Sequence, residues 1–549
     1  MPLQKNQVLT LQVERLSSDG SGVAHSPEGE TVFIPGAAPG DEARVRIVKD
    51  CKRYAFGILD EVLTPSPDRI PVDCAVAGPC GGCSLRHLDY AAELRAKQEN
   101  VADAFARIGG LDVPVLPIVG SPEIDRYRNK VQFPVGTDKA GRPCIGFYAG
   151  RTHRIVPCPD CRLQPGVLNE IGNTLCAFFA EKGIHPYNEE TGKGLVRHIF
   201  LRRGAHSGQI MVCLVCTRAK LPSAEELCTR LKEAFPDIVT ILLNVNAKNT
   251  NVILGSETHT LYGQGYIEDT LCGVPVQLGP LSFYQVNTLA AEQLYGIAAE
   301  YAQLTPDDLL LDLYCGMGTI GLSMADHCRE LVGVEIVPEA IESAKANAAR
   351  MGTAVSAKSR FFCADAGQAA AQLAAEGLHP DVVMLDPPRK GCDEATLSAV
   401  VRMAPRRVVY VSCNPATAAR DAAWLEQNGY HAEKVQPVDL FPRTKHVETV
   451  VLLSKGEIDS KKVRVEFSLE DMDMSGFQKD ATYEQIKAYV LEHTGLKVSS
   501  LYISQIKRKC GLDVGQNYNL SKKEDAKVPK CPPEKEAAIR DALKYFQMI

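Results

Sequence analysis

Short runs of alternating apolar and polar residues make up the chain as far as residue 64. The runs are VLTLQVERL, ETVFIPG, EARVRIVKD and AFGILDEVL, and their period of two is typical of half-buried β-strands. Gly20, Gly22, Gly36 and Gly40 lie between them. About five short strands with Gly-rich turns predict a small β-barrel of the oligonucleotide-binding type over residues 1–64.

Residues 65–295 combine the alternating period of strands with the period of helices, and this mixture predicts a central α+β domain. The segment begins with a Pro-rich joint, TPSPDRIP, and a Gly-rich loop that contains several cysteines. A helical stretch follows, YAAELRAKQENVADAFARI, and then a strand-rich region that continues to about residue 280. Basic residues recur in this region, which points to a local surface for nucleic acid.

Between residues 296 and 455, apolar runs alternate with stretches of helical period. The apolar runs include LLLDLYCGMGTIGL, LVGVEIV, DVVMLDPPR and RRVVYVSCNP. Nearly continuous apolar strands separated by helices are typical of a doubly wound parallel sheet. We therefore predict an α/β domain of Rossmann-like architecture over residues 296–455.

The last segment, 456–549, predicts a small helical accessory module. YEQIKAYVLEHTGLKVSSLYISQIKRKCG reads as helix, turn and helix. A helix-turn-helix would place Lys507, Arg508 and Lys509 at nucleic-acid phosphates. A helical cap with a solvated basic face fits the same pattern, so both interpretations stay open.

Composition restricts the partners and the compartment. The 549 residues carry 61 Lys and Arg against 67 Asp and Glu, a net charge of -6, so any surface for nucleic acid must be local. No apolar run approaches the ~18 residues of a membrane span, and no signal-peptide pattern is present. We expect a cytoplasmic protein without a membrane partner. In such a reducing compartment the 19 cysteines are mostly buried apolar residues, and a minority are metal ligands or nucleophiles.

Acidic residues lie near the ends of three successive strands of the predicted α/β domain. Asp312 precedes the small-residue turn CGMGT, Glu335 ends the second strand and Asp365 ends the third. An acidic side chain at the second strand end binds ribose hydroxyls in this architecture. The D-x-x-x-G-x-G spacing differs from the G-x-G-x-x-G of a pyrophosphate loop. It favours an S-adenosylmethionine site over a dinucleotide site.

Further reactive side chains are expected at the same edge of the sheet. Asp386 begins D-P-P-R at the fourth strand end, Cys413 follows the fifth strand, and Glu448 begins the last predicted strand. Arg389 stands where amino-methyltransferases carry a base-stacking aromatic residue, which disfavours methylation of an exocyclic amine. A thiolate that adds to carbon 6 of uracil makes carbon 5 nucleophilic, and a base must then remove the carbon 5 proton. Cys413 and Glu448 are our candidates for these roles.

These motifs resemble the RNA (uracil-5-)-methyltransferase family, in particular its RumA-like 23S ribosomal RNA branch. The resemblance runs from residue 1 to about 454 and includes the barrel (a TRAM domain), Cys-x5-Cys-Gly-Gly-Cys, SFYQVN, DLYCGMGT, DPPRKG, SCNP and HVE. It implies that Cys413 is the nucleophile and Glu448 the proton-abstracting base. It also implies that S-adenosylmethionine is contacted by Gln285, Tyr314, Thr319, Glu335, Asp365 and Asp386.

A cysteine cluster in the Gly-rich loop has the spacing of metal ligands. Cys74, Cys80 and Cys83 form a C-x5-C-x2-C pattern, and Cys158 and Cys161 are candidates for a fourth ligand. The family resemblance implies a 4Fe-4S cluster with Cys161 as that ligand. Zinc is the alternative, and its ligands would be the C-x2-C pairs Cys80/Cys83 and Cys158/Cys161. The segment between these two pairs is, however, far longer than in a zinc ribbon.

The resulting hypothesis is methylation of carbon 5 of a uridine in 23S ribosomal RNA, with the barrel and the cluster domain holding the RNA. One alternative is methylation of a transfer-RNA uridine, although that branch generally lacks the barrel and the cluster. Another is a non-catalytic iron–sulfur protein that binds RNA through an inactive methyltransferase fold. The joint presence of Cys413, Asp386 and Glu448 argues against the inactive fold.

Overall fold

The computed structural model describes residues 3–150, 152–248, 250, 252–456, 483–494, 496–510 and 531–545. The chain divides into two compact units, Met1–Asp459 and Ser460–Ile549. Within the described ranges, no helix has the length and apolar character needed to cross a membrane.

A closed five-stranded barrel forms the start of the first unit, as the alternating pattern predicts. Its strands are β1 (Val8–Leu16), β2 (Ser21–His25), β3 (Thr31–Pro35), β4 (Glu42–Asp50) and β5 (Tyr54–Thr64), in the spatial order β1, β2, β3, β5, β4. Alternate side chains point inward, and the core includes Val13, Val32, Ile34, Val45 and Ile47. Because the barrel is closed, its outer face and its turns are the surfaces left for partners.

The central part is built on a mixed seven-stranded sheet. Helix α1 (Tyr90–Asp103) continues into a π-helical turn (Ala104–Gly109), and the sheet contains β6 (Lys130–Thr137), β7 (Pro143–Tyr148), β8 (Ile155–Pro157), β9 (Val196–Arg203), β10 (Ile210–Cys216), β11 (Ile238–Val245) and β12 (Glu257–Tyr262). The spatial order is β12, β11, β10, β9, β6, β7, β8. Helices α2 (Gly166–Glu181) and α3 (Ala224–Ala234) accompany the sheet, and a separate hairpin is formed by β13 (Ile267–Leu271) and β14 (Val274–Leu278).

The third part is the expected α/β domain. Its elements are α4 (Thr288–Ala302), β15 (Leu309–Leu313), α5 (Thr319–Ser323), β16 (Glu330–Glu335), α6 (Pro338–Arg350), α7 (Thr353–Lys358), β17 (Ser359–Cys363), α8 (Ala366–Ala375), β18 (Val382–Leu385), α9 (Glu394–Met403), β19 (Arg407–Ser412), α10 (Pro415–Gln427), β20 (Tyr430–Val438) and β21 (Glu448–Lys455). The sheet order is β17, β16, β15, β18, β19, β21, β20. One apolar core joins this sheet to the central one, with Cys213 and Met211 packed in the same cluster as Leu310 and Met384.

The α/β sheet is not wholly parallel, which differs from the prediction. Strands β15 to β19 are parallel, whereas β21 pairs antiparallel with β19 and β20. Thr449 lies opposite Ser412 in that pairing. Strand β21 therefore begins at the edge where the parallel strands end, and Glu448 comes next to Cys413 for this reason.

The second unit contains three described helices, α11 (Tyr483–Thr494), α12 (Ser500–Lys509) and α13 (Pro533–Tyr545). They share an apolar core that includes Ile486, Ile503, Ile506, Ile539 and Leu543. Lys507 is only 6% exposed, and Lys509 Nζ lies 2.6 Å from Glu536 Oε2. The expectation that Lys507, Arg508 and Lys509 all face phosphates is therefore wrong for Lys507, because its side chain is buried.

Candidate active site and cysteine cavity

A cavity of about 1430 Å³ opens at the carboxyl ends of the parallel strands. Its lining includes every residue that the sequence predicts for S-adenosylmethionine or for catalysis, namely Gln285, Tyr314, Thr319, Glu335, Asp365, Asp386, Cys413 and Glu448. These residues come from distant parts of the chain. The structure therefore brings the predicted cosubstrate residues and the predicted reactive residues into one space.

The turn after β15 forms one wall of this cavity. Tyr314, Gly316 and Gly318 all have left-handed backbone conformations, with φ of 66°, 55° and 80°. A Cβ atom on Gly318 would lie 3.2 Å from the Ala344 side chain, so this position also needs glycine for space. The Gly316 N–H donates to Glu335 Oε2 at 3.1 Å. The turn is thus held against the carboxylate that ends β16.

Asp312 and Asp365 both have structural hydrogen bonds. Asp312 is 1% exposed, does not line the cavity, and accepts from the Gly321 N–H at 3.0 Å. Burial raises the pKa of Asp312 to about 8. Asp365 caps α8 by accepting from the N–H groups of Gly367 and Gln368, each at 3.1 Å. Asp312 therefore anchors the turn, whereas Asp365 combines a helix cap with a place in the lining.

The central sheet holds the SFYQVN segment. Arg202 is 1% exposed and donates to the Gly279 carbonyl at 2.9 Å and to the Ser282 carbonyl at 2.7 Å. Asn129 Nδ2 donates to the Gln285 carbonyl at 2.8 Å. Strands β6 and β9 thereby position a segment that lines the cavity of the neighbouring domain.

Two further residues of the cavity are not singled out by sequence reasoning. Phe283 lines the cavity and is 71% exposed, which is unusual for a large aromatic side chain. His446 is half-buried in the same lining. Burial, together with the positive charges of Arg389 and Lys445, lowers the pKa of His446 to about 4, so its imidazole is neutral near pH 7. The signal for both was their place inside the motifs SFYQVN and KHVE.

Cys413 lies among groups with opposing electrostatic effects. Burial and the negative charges of Glu448 and Asp386 raise the pKa of Cys413, whereas the charge and hydrogen bond of Arg389 lower it. Glu448 is 5% exposed, and its pKa is raised well above the usual value by burial and by Asp386. Desolvation raises the pKa of Asp386 to about 7. Arg389 is thus the cationic group that favours ionisation of both the thiol and the carboxyl group of Glu448.

Hydrogen bonds fix the D-P-P-R loop next to Cys413. The Arg389 carbonyl accepts from Asn414 Nδ2 at 2.9 Å and from Thr417 Oγ1 at 3.4 Å. Arg420 donates to the Lys390 carbonyl at 3.0 Å. The loop that carries Arg389 is therefore joined to the start of α10, directly after Cys413.

A buried ionic network holds the segment that leads to Glu448. Lys97 Nζ lies 2.8 Å from both Glu93 Oε1 and Asp439 Oδ1, and all three side chains are at most 1% exposed. The Arg443 N–H donates to Glu93 at 2.7 Å. Helix α1 therefore holds both ends of segment 439–443, and this segment ends five residues before Glu448.

A second, smaller cavity of about 70 Å³ is lined by Cys74, Cys80, Cys83, Cys158 and Cys161. Arg86, Arg128 and Arg162 line it too, and positive neighbours favour thiolates. Among the described residues, no group of three or more His, Cys, Asp or Glu side chains is arranged to hold a metal ion.

Cys158 and Cys161 differ in their surroundings. Cys158 is 3% exposed, and Cys161 is half-buried. A hydrogen bond between the two thiols lowers the pKa of Cys161 and raises that of Cys158. The two thiols therefore titrate as a pair.

Known protein families match two stretches of the first unit. A model of the family described as tRNA (Uracil-5-)-methyltransferase matches residues 207–456, and a TRAM domain model matches residues 2–59. An uncharacterized RNA methyltransferase of Halalkalibacterium halodurans is 44% identical over 453 residues, covering 82% of this chain and 98% of that protein. One of Clostridium tetani is 41% identical over 454 residues, covering 83% of this chain and 98% of that protein.

A solved structure agrees with these matches. The tRNA (uracil-54, C5)-methyltransferase of Pyrococcus abyssi in complex with S-adenosyl-L-homocysteine has a TM-score of 0.65 and 27% identity to this chain. The match covers 81% of this chain and 100% of that one. With the predicted residues gathered at one strand-end cavity, these likenesses show that the chain belongs to the S-adenosylmethionine-dependent RNA (uracil-5-)-methyltransferase family and carries an N-terminal TRAM domain.

Proposed function

We propose that the protein methylates carbon 5 of a uridine in 23S ribosomal RNA, with Cys413 as the nucleophile and Glu448 as the base. The observation that carries the proposal is that both residues line one cavity with the candidate cosubstrate residues. S-adenosylmethionine supplies the methyl group. The residues proposed to hold it are Gln285, Tyr314, Thr319, Glu335, Asp365 and Asp386.

In the first step the Cys413 thiolate attacks carbon 6 of the uracil. As the sulfur–carbon bond forms, the electron pair of the 5,6 double bond moves toward carbon 5 and the carbonyl at carbon 4, so carbon 5 becomes nucleophilic. Arg389 supports this step because its charge and its hydrogen bond favour the thiolate over the thiol. Carbon 5 then attacks the methyl carbon of S-adenosylmethionine. As the new carbon–carbon bond forms, the methyl–sulfur bond breaks and its electron pair stays on sulfur, so that S-adenosylhomocysteine leaves.

In the last step Glu448 removes the proton from carbon 5. The electron pair of that carbon–hydrogen bond restores the double bond, and Cys413 leaves carbon 6 as a thiolate. The raised pKa of Glu448, caused by burial and by Asp386, makes its carboxylate a stronger base than an exposed glutamate. The antiparallel start of β21 supports this proposal, because Glu448 begins that strand and Thr449 lies opposite Ser412, the residue before Cys413.

Carbon 6 can be reached only from the face of the base, so we expect the uridine to be turned out of its stack. The exposed ring of Phe283 in the cavity lining offers a surface on which the extruded base can stack. This role is part of the proposal, and it explains why an aromatic side chain stays uncovered there.

We further propose that Cys74, Cys80, Cys83 and Cys161 hold a 4Fe-4S cluster. Thiols placed around a cavity suit a cluster better than a single zinc ion, whose four ligands must converge at about 2.3 Å. Such a cluster would serve as a structural or RNA-orienting group. With these ligands the cluster would join the loop at 74–83 to the loop at 158–161. Cys158 is proposed as a hydrogen-bond donor beside it.

Two RNA classes remain as candidates for the substrate. The barrel and the cysteine cavity together support 23S ribosomal RNA. The Pyrococcus abyssi neighbour, whose name specifies uracil-54 of tRNA, covers 81% of this chain, and this favours transfer RNA as the second candidate. A cytoplasmic location is part of the proposal for either substrate.

The substrate is tested with methyl-labelled S-adenosylmethionine and unmethylated RNA. Purified full-length protein is incubated separately with 23S ribosomal RNA and with bulk transfer RNA, and 5-methyluridine is mapped by mass spectrometry. We expect label at uridine in 23S ribosomal RNA and none with the Cys413→Ala variant. Label in transfer RNA alone would replace the ribosomal substrate by the second candidate.

A further inference from the structure

Asp421 is a buried carboxylate that the proposed reaction does not use. It lies on helix α10, which follows Cys413, and it is 1% exposed. Its Oδ2 atom accepts from the Tyr410 hydroxyl at 2.5 Å and from the Cys392 N–H at 2.8 Å. Its Oδ1 atom accepts from Arg420 Nε at 2.7 Å. Donors from a strand, a loop and a helix therefore meet at one carboxylate.

The surroundings of Asp421 are specific for a carboxylate. All the groups that contact it are donors, and an ionised carboxyl group only accepts. An amide in the same place would turn its own N–H groups against at least one of these donors. Because the side chain is buried, solvent does not compensate for a lost partner. Asp421→Asn therefore breaks these contacts with little change in volume.

The loop that Asp421 holds is the turn that carries Arg389. The Gly391 N–H donates to the Pro388 carbonyl at 2.8 Å and closes the turn. Gly391 has a φ of 77°, and a Cβ atom on it would lie 2.5 Å from Asp421 Oδ2. The turn and the carboxylate are therefore in direct contact, and this contact leaves no space for a side chain.

Arg420 connects the carboxylate to the carbonyl groups of the same loop. Its guanidinium group donates to the Lys390 carbonyl at 3.0 Å and to the Cys392 carbonyl at 3.2 Å. It also forms an ion pair with Asp421 at 2.6 Å. The Arg420 side chain is 52% exposed, so the buried carboxylate is the fixed member of the pair. Asp421 thus holds the loop both directly and through Arg420.

The position of Arg389 matters for the Cys413 thiol. Burial and the charges of Glu448 and Asp386 raise the pKa of Cys413, whereas the charge and the hydrogen bond of Arg389 oppose that rise. Arg389 itself is exposed. A long exposed side chain has many rotamers, so its contact with the thiol depends on a fixed backbone.

The elements on both sides of Cys413 meet at Asp421. Tyr410 belongs to strand β19, which leads to Cys413, and Asp421 belongs to helix α10, which follows it. The same carboxylate contacts the turn of Arg389. The separation between the thiol and the guanidinium group is therefore set at this carboxylate.

We propose that Asp421 is a positioning residue, which holds the turn of Arg389 and so keeps the guanidinium group beside the Cys413 thiol. Asp421 acts through Arg389, since it is not part of the cavity lining. This role rests on the proposed function only because the Cys413 thiolate is the nucleophile there. When Asp421 is replaced, the turn separates from α10 and the thiol ionises at higher pH.

The test measures how alkylation of Cys413 by iodoacetamide depends on pH, in full-length protein without RNA or S-adenosylmethionine. Iodoacetamide reacts with the thiolate, and mass spectrometry of the Cys413 peptide separates this thiol from the others. The variants are Asp421→Asn, Arg389→Gln and the two combined. The matched control is Asp308→Asn. Asp308 is 6% exposed, pairs with Arg406 at 2.6 Å and precedes β15, at the edge of the sheet opposite to the cavity.

We expect Asp421→Asn to displace the profile upward by about one pH unit, so that alkylation at pH 7 is about tenfold slower. Arg389→Gln should give a similar displacement, and the combined variant no further one, because both changes act on the same contact. Asp308→Asn should keep the wild-type profile even if its melting temperature falls. A wild-type profile for Asp421→Asn, or displacements that add in the combined variant, would overturn the proposal.

Gly391→Ala tests the same contact without a change in the carboxylate. Its methyl group would displace the turn from Asp421, so its profile should also move to higher pH. If Asp421→Asn does not fold, an unmoved profile for folded Gly391→Ala would overturn the proposal instead. Because alkylation needs no methyl transfer, failure of the proposed reaction would be seen separately, in the turnover of the wild-type protein.

Discussion

At the scale of residues, the reactive site combines one thiol, two carboxyl groups and one guanidinium group. Desolvation raises the pKa of Cys413, Glu448 and Asp386, and the neighbouring carboxyl groups raise it further for Cys413 and Glu448. Arg389 acts in the opposite direction on Cys413 and Glu448. In the proposed reaction Cys413 must lose its proton before it attacks, and Glu448 must be ionised before it accepts one. Activity should therefore depend strongly on pH.

The pH dependence gives a prediction for Arg389. The single-turnover rate should rise with pH as Cys413 ionises, because burial and the neighbouring carboxyl groups raise the pKa of that thiol. Arg389→Gln removes the charge that lowers this pKa, so its profile should be displaced to higher pH and its rate at pH 7 reduced about tenfold. Lys390→Gln, the adjacent change, serves as the control. A profile for Arg389→Gln that coincides with the wild type would contradict the assigned role.

At the scale of elements, strand ends and one helix build the site. The acidic residues at strand ends could be predicted because each follows an apolar run and precedes a turn. The direction of β21 could not, since an alternating or apolar pattern has the same form in parallel and antiparallel strands. The contact of Lys97 with Asp439 could not be predicted from the sequence either, because a charged residue in an amphipathic helix usually faces solvent.

The buried network gives a prediction for Lys97. Lys97→Met leaves Glu93 and Asp439 buried without their cation, and the loss of folding stability should be about 3–5 kcal/mol. Because segment 439–443 leads to Glu448, kcat should fall in protein that remains folded, while KM for S-adenosylmethionine changes little.

The control for Lys97 is Lys345→Met, which breaks an ion pair with Glu342 whose side chains are 52% and 72% exposed. That change should lower stability by less than about 1 kcal/mol. Adding Glu93→Gln and Asp439→Asn to Lys97→Met should restore part of the stability. If Lys97→Met and Lys345→Met changed the melting temperature and kcat equally little, a positioning role for Lys97 would be excluded.

At the scale of the whole molecule, the residues that follow Cys83 of the cysteine cavity contact segment 439–443, which leads to Glu448. The N–H groups of Ser84 and Leu85, immediately after Cys83, donate to the Arg443 carbonyl at 3.0 and 3.1 Å. The barrel is attached nearby through Arg69, whose guanidinium contacts the fully buried Asp41 at 2.8 Å. The sequence allowed each part to be predicted from its own motif. It contained no local signal for these contacts, which join residues more than twenty positions apart.

The cysteine cavity gives a prediction for Cys161 and Cys158. After anaerobic purification, Cys161→Ala should lose most of its iron, sulfide and visible charge-transfer absorbance, because a proposed ligand is missing. Cys158→Ala should keep the iron, since that thiol is proposed as a donor only. Zinc in place of iron in the wild-type protein, or retention of a full cluster by Cys161→Ala, would refute the ligand assignment.

The central claim is that Cys413 adds to a uridine and that Glu448 releases it. The most direct measurement is denaturing electrophoresis of the Glu448→Gln variant after incubation with 23S ribosomal RNA and S-adenosylmethionine, followed by mass spectrometry of the cross-linked peptide. We predict a stable RNA adduct at Cys413 that carries the new methyl group, turnover reduced on the order of 10²–10⁴-fold, and no adduct when Cys413→Ala is added. Formation of 5-methyluridine by the Cys413→Ala variant, or an adduct at another residue, would contradict the account.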